Sequence, residues 1–543
     1  MNVSRLFDIL ERAAGLWPEN EAVVFKDQRI SYKELDHRVN CLAKGLLKSG
    51  VKKGDHVSVL LVNSVEWFCS EYALGKIGAV LIPINTRFKT HELEYVLHHS
   101  DSSALIMNKE FLGINYVDMI SDICPELAQS EPGALNSERL PLLKRVICSG
   151  EKAPAGIYSL ESVMEWGKDY DKDDALSEAK AGISTDDIAH IPYTSGTTGN
   201  PKGVMTTHKQ YLWFNNNVID ALAMTEKDRF ITSLPFCHNY GNCAGIYFPA
   251  LSGGTSIILE YFNPPEVLKI IEKEKGTVVY GTPTMYIKML EEPDFGNYDY
   301  SSLRLALTAA APASVKLIED IRKNFGGAHV LNGYGMTENS VGTSLTRFGD
   351  PPEIISTTVG RPMKGASVKV VDPETGEDLP PGKEGEFCTK GILVMKGYYK
   401  MPEETARVID KDGWFHTGDL AILREDGYIK ISGRLKDVIM PGGLNFSAVE
   451  VEDFITTHPA VQQVAVVGVP DEVMGEIGMA FVKLKTGQTS TEEEIINHCK
   501  GKLANFKIPK YVKFVDDFPL TPLEKIQKFK LKDQAVKELG LGE

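Results

Sequence analysis

The chain runs to 543 residues, too long for one ordinary hydrophobic core, so two or more domains are expected. Its composition is globular, at 43% hydrophobic and 24% charged residues, and its net charge of −15 argues against a nucleic-acid partner, which would bring a basic excess. Overall acidity does not exclude an anionic small ligand, because local lysines and backbone amides hold phosphates inside acidic proteins.

The opening stretch MNVSRLFDILERAAGLWPE carries Arg5, Asp8, Glu11 and Arg12. It lacks the unbroken apolar run of a secretion signal, and no later run approaches the length of a membrane span. The eight cysteines are scattered with no CxxC pair, which predicts reduced thiols in a cytoplasmic protein. SYKELDHRVNCLAKGLLKSG predicts a helix with Ser31 as N-cap, Glu34 three positions on and Gly50 as its stop. HVSVLLV then reads as a buried strand, VEWFCSEYALGKIG as a helix and AVLIPI as another strand. This alternation predicts an α/β architecture with mainly parallel sheets. The stretch from Cys124 to Pro141, polar and broken by Pro and Gly, is expected to be a surface excursion.

Next, the strand-like IAHIPY leads into YTSGTTGNPKG, Tyr193 to Gly203, and VMTTHKQYLWFNNN is expected to be helical. Those eleven positions hold seven Ser, Thr or Gly residues and one lysine, too polar for core. The spacing is not that of a Walker A loop, because Lys202 follows Asn200-Pro201 and precedes Gly203. Small residues let several amides converge on one anion, while Thr194, Ser195, Thr197 and Thr198 add hydroxyl donors and Lys202 a point charge.

Further stretches carry chemistry-bearing groups. In NGYGMTE, Asn332 to Glu338, Tyr334 offers a flat aromatic face, Thr337 a donor and Glu338 a hard oxygen ligand suited to Mg²⁺; alone, Glu338 would read as a turn carboxylate. In GWFHTGD, Asp419 has acceptors for two hydroxyls, although an Asp after Gly is commonly just a turn residue. The last hundred or so residues change character. A capped helix around SAVEVEDFITTH, strands VQQVAVVGV and MAFVKLK, the helix STEEEIINHCKGKLA and the strand YVKFVDD form a compact α+β unit, entered near Lys436 in GRLKD.

Seven stretches in this order resemble the adenylate-forming superfamily of acyl-CoA synthetases, amino-acid adenylation domains and firefly-type luciferases, across nearly the whole chain. They are YTSGTTGNPKGV, LPFCHNYG, TAAAP, NGYGMTE, GWFHTGD, GRLKDVIMPGGLNFSAVEVE and PLTPLEKIQK. The resemblance implies a large N-terminal adenylation domain, residues 1–435, built of α/β subdomains, and a small mobile α+β C-terminal domain, residues 436–543, with its hinge at Lys436. It assigns Thr194, Ser195, Gly196, Thr197, Thr198 and Lys202 to the ATP phosphates. Ala310, Tyr334, Gly335, Thr337, Asp419 and Arg434 go to the rest of the nucleotide, with Asp419 on the ribose hydroxyls and Glu338 on Mg²⁺. Gly443 matches the glycine past which the pantetheine arm of coenzyme A threads, and His238 the position beside the acyl carboxylate.

Lys525 matches the mobile lysine that bridges carboxylate and α-phosphate, with Thr337 and His238 as its companions in catalysis and Lys528 as the fallback lysine. The chain departs from the family where Glu524 replaces the glycine before that lysine, where Ala309 and Ala310 replace common glycines, and at Leu444 and Ala448.

The reaction implied is an ATP-dependent carboxylic acid:CoA ligation through acyl-AMP, releasing pyrophosphate and AMP. An amino acid is disfavoured, because Phe236, Cys237, His238 and Asn239 include no acid to bind its ammonium. Tyr280, Gly281 and Met285 are expected to line the acyl region, favouring an apolar acid: a medium- or long-chain fatty acid, or an alicyclic or aromatic one. The expected partners are that acid, ATP and CoA, with no integral membrane segment and with a homodimer admissible. The chain closes soon after Lys525 with LGLGE, so neither a carrier domain nor a peroxisomal ending is expected. Two alternatives stand beside this reading: an acyl-AMP ligase that loads a separate carrier protein, and a degenerate relative that binds nucleotide without chemistry.

Overall fold

The computed structural model describes residues 3–168, 173–194, 201–441, 446–521 and 524–541, without the side chains of Asp173 and Lys436. Two nine-stranded sheets organise the N-terminal part. In one, His329–Tyr334, Leu305–Ala309, Val278–Gly281, Arg229–Thr232, Thr255–Ile258 and Glu21–Phe25 lie parallel, with short antiparallel strands at both edges. In the other, Ile188–His190, Val80–Pro83, His56–Leu60, Ser102–Met107, Arg145–Cys148 and Tyr158–Ser159 lie parallel. The α/β architecture expected from the alternating pattern is present.

The strands are near-continuous apolar runs because helices cover the sheets, as a parallel arrangement requires. Val80–Pro83 is buried at every position. The largest core joins both sheets, with Val57, Val59 and Ile147 from one and Val23, Phe230 and Leu305 from the other. Between them lies the helix Val65–Ile77, started by Ser64, whose side chain accepts from the Trp67 amide, and buried along nearly its whole length. Full burial of a side chain such as Phe68 or Leu74 there stabilises the fold by roughly 1.5–3 kcal/mol. The helix Tyr32–Lys48 starts as expected, with Ser31 accepting from the Glu34 amide.

Three expectations need correction. VMTT is not helical: Lys202–Thr207 is a strand, pairing antiparallel with Tyr193–Thr194, Ile188–His190 and Gly397–Tyr398. The β-branched Val204, Thr206 and Thr207 are buried in it, and the helix His208–Ala221 begins only after Thr207 and Gln210 close a capping box. The segment that follows the glycine-rich stretch is therefore a strand, and the helix begins later. The second correction concerns Cys124 to Pro141, which is not simply a surface excursion. It contains the short 3-10 turn Pro125–Gln129 and is anchored by buried Leu127, Leu135 and Leu140. The third is a shorter C-terminal helix, Glu492–Cys499, because Lys500 is already extended.

An antiparallel sheet of Ala366–Val371, Glu384–Gly391, Phe415–Leu423 and Ile429–Arg434 follows the two large ones. The chain then makes a 3-10 turn, Leu435–Asp437. Ile431 packs with the core of this sheet, whereas Ile439 and Phe446 pack into a new one with Val451, Val466 and Val512. That second core serves the sheet of Val461–Asp471, Gly475–Leu484 and Tyr511–Phe514. Among the described residues, no helix is long and apolar enough to cross a membrane.

Candidate active site

Cross-strand register builds the first part of the site. Phe415–Leu423 pairs with Ile429–Arg434 so that Asp419 stands opposite Arg434, its Oδ1 3.0 Å from the Arg434 Nε. The Tyr334 hydroxyl donates to Asp419 Oδ2 at 2.5 Å. Asp419 is buried, whereas the Arg434 side chain is half-exposed. Burial, reinforced by the Asp419 charge, holds the Tyr334 phenol well above its ordinary pKa, so it stays a donor. Glu386, on the neighbouring strand, accepts from the Gly418 amide at 3.1 Å and lies 2.7 Å from His416 Nδ1. With Gly418 in the left-handed region at φ +69°, these contacts fix the chain just before Asp419. Asp419 is thus a strand residue with two fixed donors, not a turn residue.

A second part forms around Tyr398. After the strand His329–Tyr334, Thr337–Asn339 makes one 3-10 turn that buries Glu338 while Thr337 stays partly exposed. Gly335 is needed there, since a Cβ would sit 1.9 Å from the Val341 carbonyl oxygen. The Tyr398 hydroxyl donates to Glu338 Oε1 at 3.0 Å, and the Met395 amide donates to the Glu338 carbonyl at 2.8 Å. Burial raises the Glu338 carboxyl above its usual range, only partly offset by its own backbone amide, the Tyr398 bond and the charges of Arg434 and Lys202. Lys202 Nζ lies 4.9 Å over the Tyr398 ring and 2.5 Å from Glu404 Oε2. Thr194 pairs with Lys202 across the hairpin. One tyrosine therefore gathers the phosphate-loop lysine and the metal-ligand candidate. Sequence reasoning missed Tyr398, Glu404 and Glu386; the sole local signal is the aromatic pair after Gly397.

The third part comes from the C-terminal unit. Thr521 shapes the turn before Lys525: its carbonyl accepts from the Glu524 amide at 2.8 Å, its amide donates to the Lys525 carbonyl at 2.8 Å, and its hydroxyl accepts from the Lys525 amide at 3.1 Å. Burial and the nearby Arg434 bring the Lys525 ammonium down to about 8, with Asp419 opposing. Burial and the Lys525 charge bring His238 down to about 4, so its imidazole is neutral near pH 7. The Lys525 charge is thus felt at His238 and is itself shifted by Arg434 and Asp419. The fallback Lys528 is instead tied to Glu452 at 2.6 Å, inside the C-terminal unit.

Two departures from the family pattern share a backbone feature. Ala310 has φ +77° and Glu524 φ +57°, a region in which glycine is free of strain and other residues are not. Of the residues expected at the acyl side, Tyr280 is buried with its ring centroid 6.0 Å from Phe248 and 6.1 Å from Tyr240, and Met285 is buried beside a cleft lined by Phe236 and Cys237. Burial pushes the Cys237 thiol up to about 12, which removes it as a nucleophile. Ser195, Gly196, Thr197, Thr198 and Gly443 lie outside the described residues.

Residues 10–399 match the AMP-binding enzyme family and residues 450–525 match the AMP-binding enzyme C-terminal domain, so the chain belongs to the AMP-binding enzymes. The chain is 41% identical over 536 residues to YngI of Bacillus subtilis (strain 168), provisionally named an acyl-CoA synthetase, covering 98% of this chain and 97% of that protein. It is 38% identical to the human mitochondrial medium-chain acyl-CoA ligase ACSF2, covering 100% of this chain and 89% of that protein. The crystal structure of the anthranilate CoA ligase AuaEII with anthranoyl-AMP superposes with a TM-score of 0.85 at 29% identity, covering 99% and 98% of the two chains. Within this family the protein is an AMP-forming acid–thiol ligase: it joins a carboxylic acid to CoA at the expense of ATP, through an acyl-AMP intermediate.

Proposed function

We propose that the acid is apolar, a medium- or long-chain fatty acid or an alicyclic or aromatic one. The observation that carries this reading is the ring cluster of Tyr240, Phe248 and Tyr280, together with the cleft lined by Phe236, Cys237 and Met285. The names of two relatives, a medium-chain acyl-CoA ligase and an anthranilate CoA ligase, support it.

In the first step a carboxylate oxygen attacks the α-phosphorus and pyrophosphate leaves. Lys525 bridges the two anions and stabilises the charge that builds on the α-phosphoryl oxygens. Asp419 accepts from the ribose hydroxyls, Arg434 and Tyr334 hold Asp419 in place, and Tyr334 and Gly335 border the base. Lys202, Thr194, Ser195, Gly196, Thr197 and Thr198 take the β- and γ-phosphates, and Thr337 donates to a phosphate oxygen. Glu338 fits Mg²⁺ as a hard oxygen donor, held by the hydroxyl of Tyr398, whose ring lies under Lys202, and the ion would neutralise charge on the leaving phosphates.

In the second step the CoA sulfur attacks the acyl carbon and AMP leaves. Domain 436–543 turns about Lys436 for this step, so that Gly443 rather than Lys525 faces the intermediate. The eight free cysteines support a reducing, cytoplasmic setting.

Mass spectrometry of products from ATP, Mg²⁺, CoA and a panel of acids, from acetate to palmitate with benzoate and cyclohexanecarboxylate, tests the proposal. Acyl-CoA from one apolar class is the expected result; turnover of acetate alone would overturn it. Light scattering on the same preparation reads whether the chain forms a homodimer.

A further inference from the structure

Glu524 stands where the family pattern has glycine, and it keeps the glycine backbone at φ +57°. Its carboxylate does not turn to Lys525. Instead Oε2 lies 2.6 Å from Lys288 Nζ, with the Glu524 side chain 12% and the Lys288 side chain 42% exposed. The Glu524 carbonyl also accepts from the Thr284 hydroxyl at 3.3 Å. Thr284 and Lys288 are one turn apart on the helix Pro283–Leu290, which belongs to the N-terminal domain. Just beyond that helix, Glu291 Oε1 accepts from Gln462 of the C-terminal unit at 2.5 Å. This short helix and the residue after it thus receive the C-terminal unit, with two of the contacts made by the residue next to Lys525.

From this juxtaposition we propose that Glu524 is a positioning residue for adenylation: its ion pair with Lys288 pins the loop that carries Lys525 against the N-terminal domain, and the pair must open before the thiol step. A non-glycine residue in a left-handed conformation is strained and persists only where surrounding contacts hold it. Here Thr521 holds the backbone from within the C-terminal unit, while the carboxylate and the carbonyl of Glu524 are held from the other domain. Glycine at this position would relieve the strain but could not supply the contact. The charge at Glu524 therefore shifts the balance between the two domain arrangements towards the one that makes acyl-AMP.

The inference rests on the assignment of Lys525 to adenylation, so the test includes Lys525→Ala as a control. The two half-reactions are followed separately with the full chain: acyl-AMP formation from ATP and acid, and acyl-CoA formation from supplied acyl-AMP. Glu524→Gln and Lys288→Met are each expected to lower kcat for acyl-AMP formation by about 5–20-fold, with little change in the KM for ATP and no loss in the second half-reaction. The double variant is expected to be no worse than either single one, and the exchanged pair Glu524→Lys with Lys288→Glu to recover most of the rate.

Equal loss in both half-reactions, additive losses in the double variant, or no change in either single variant would overturn the inference. If Lys525→Ala itself left acyl-AMP formation intact, the assignment of Lys525 would fall first. If it abolished that step while the pair variants did nothing, only the positioning role would fall. Recovery by the exchanged pair excludes simple misfolding as the cause of loss.

Discussion

Asp419 and Lys525 reach the same neighbourhood by opposite means. Asp419 is fixed by sheet register, with Arg434 across the ladder and Tyr334 at its other oxygen. Lys525 rides on a turn of the C-terminal unit and is held there by that turn and by contacts to the helix Pro283–Leu290. The difference matches the chemistry. On the proposed roles, a nucleotide ligand such as Asp419 serves both steps and is built on rigid strands, whereas Lys525 serves adenylation alone and leaves for the thiol step.

The sharpest way to break this contrast is Lys525→Ala. It should lower acyl-AMP formation by about 10²–10³-fold while sparing acyl-CoA formation from supplied acyl-AMP. Rapid-quench measurement of both half-reactions reads this, and equal losses would mean that Lys525 serves the whole cycle. Asp419→Ala is expected to slow both half-reactions and to raise the KM for ATP by roughly 10–100-fold, because Arg434 and Tyr334 lose their shared acceptor.

A pH series sharpens the comparison further. With the Lys525 ammonium held near 8 in the free enzyme, kcat/KM for acyl-AMP formation should fall as pH rises through about 8 and the charge is lost. The rate from supplied acyl-AMP should show no such limb. Tyr398→Phe removes the donor to Glu338 but keeps the ring under Lys202, so only a several-fold rise in the Mg²⁺ needed for half-maximal rate is expected. Since burial raises the Glu338 carboxyl, that Mg²⁺ requirement should also climb as pH falls and the group takes up a proton. Smallest of all, Ala310→Gly should change stability by no more than about 1 kcal/mol, as relief of the left-handed strain is offset by greater freedom in the unfolded chain. Thermal denaturation measures it.

How far the site could be read from sequence follows the same division. Residues proposed to act through their own side chain on the ligand sit in short motifs, so Lys202, Glu338, Asp419 and Lys525 could be named as candidates from sequence. So was the α/β pattern, because parallel strands and their covering helices leave distinct periodicities. Partners that meet only by folding left no such mark. Tyr398 lies 60 residues from Glu338, and Lys288 lies 236 residues from Glu524. The strand Lys202–Thr207 was misread because its buried β-branched residues run straight into a capped helix with no polar break between them. Glu524 was visible as a departure, but its meaning required the backbone angle and the helix it faces.

The central claim, that the acid is activated by joining its own oxygen to AMP, is tested most directly with a carboxylate labelled with ¹⁸O at both oxygens. One turnover with ATP, Mg²⁺ and CoA should place one ¹⁸O in AMP and leave the other in the thioester carbonyl. Label in inorganic phosphate or pyrophosphate, with none in AMP, would contradict the account.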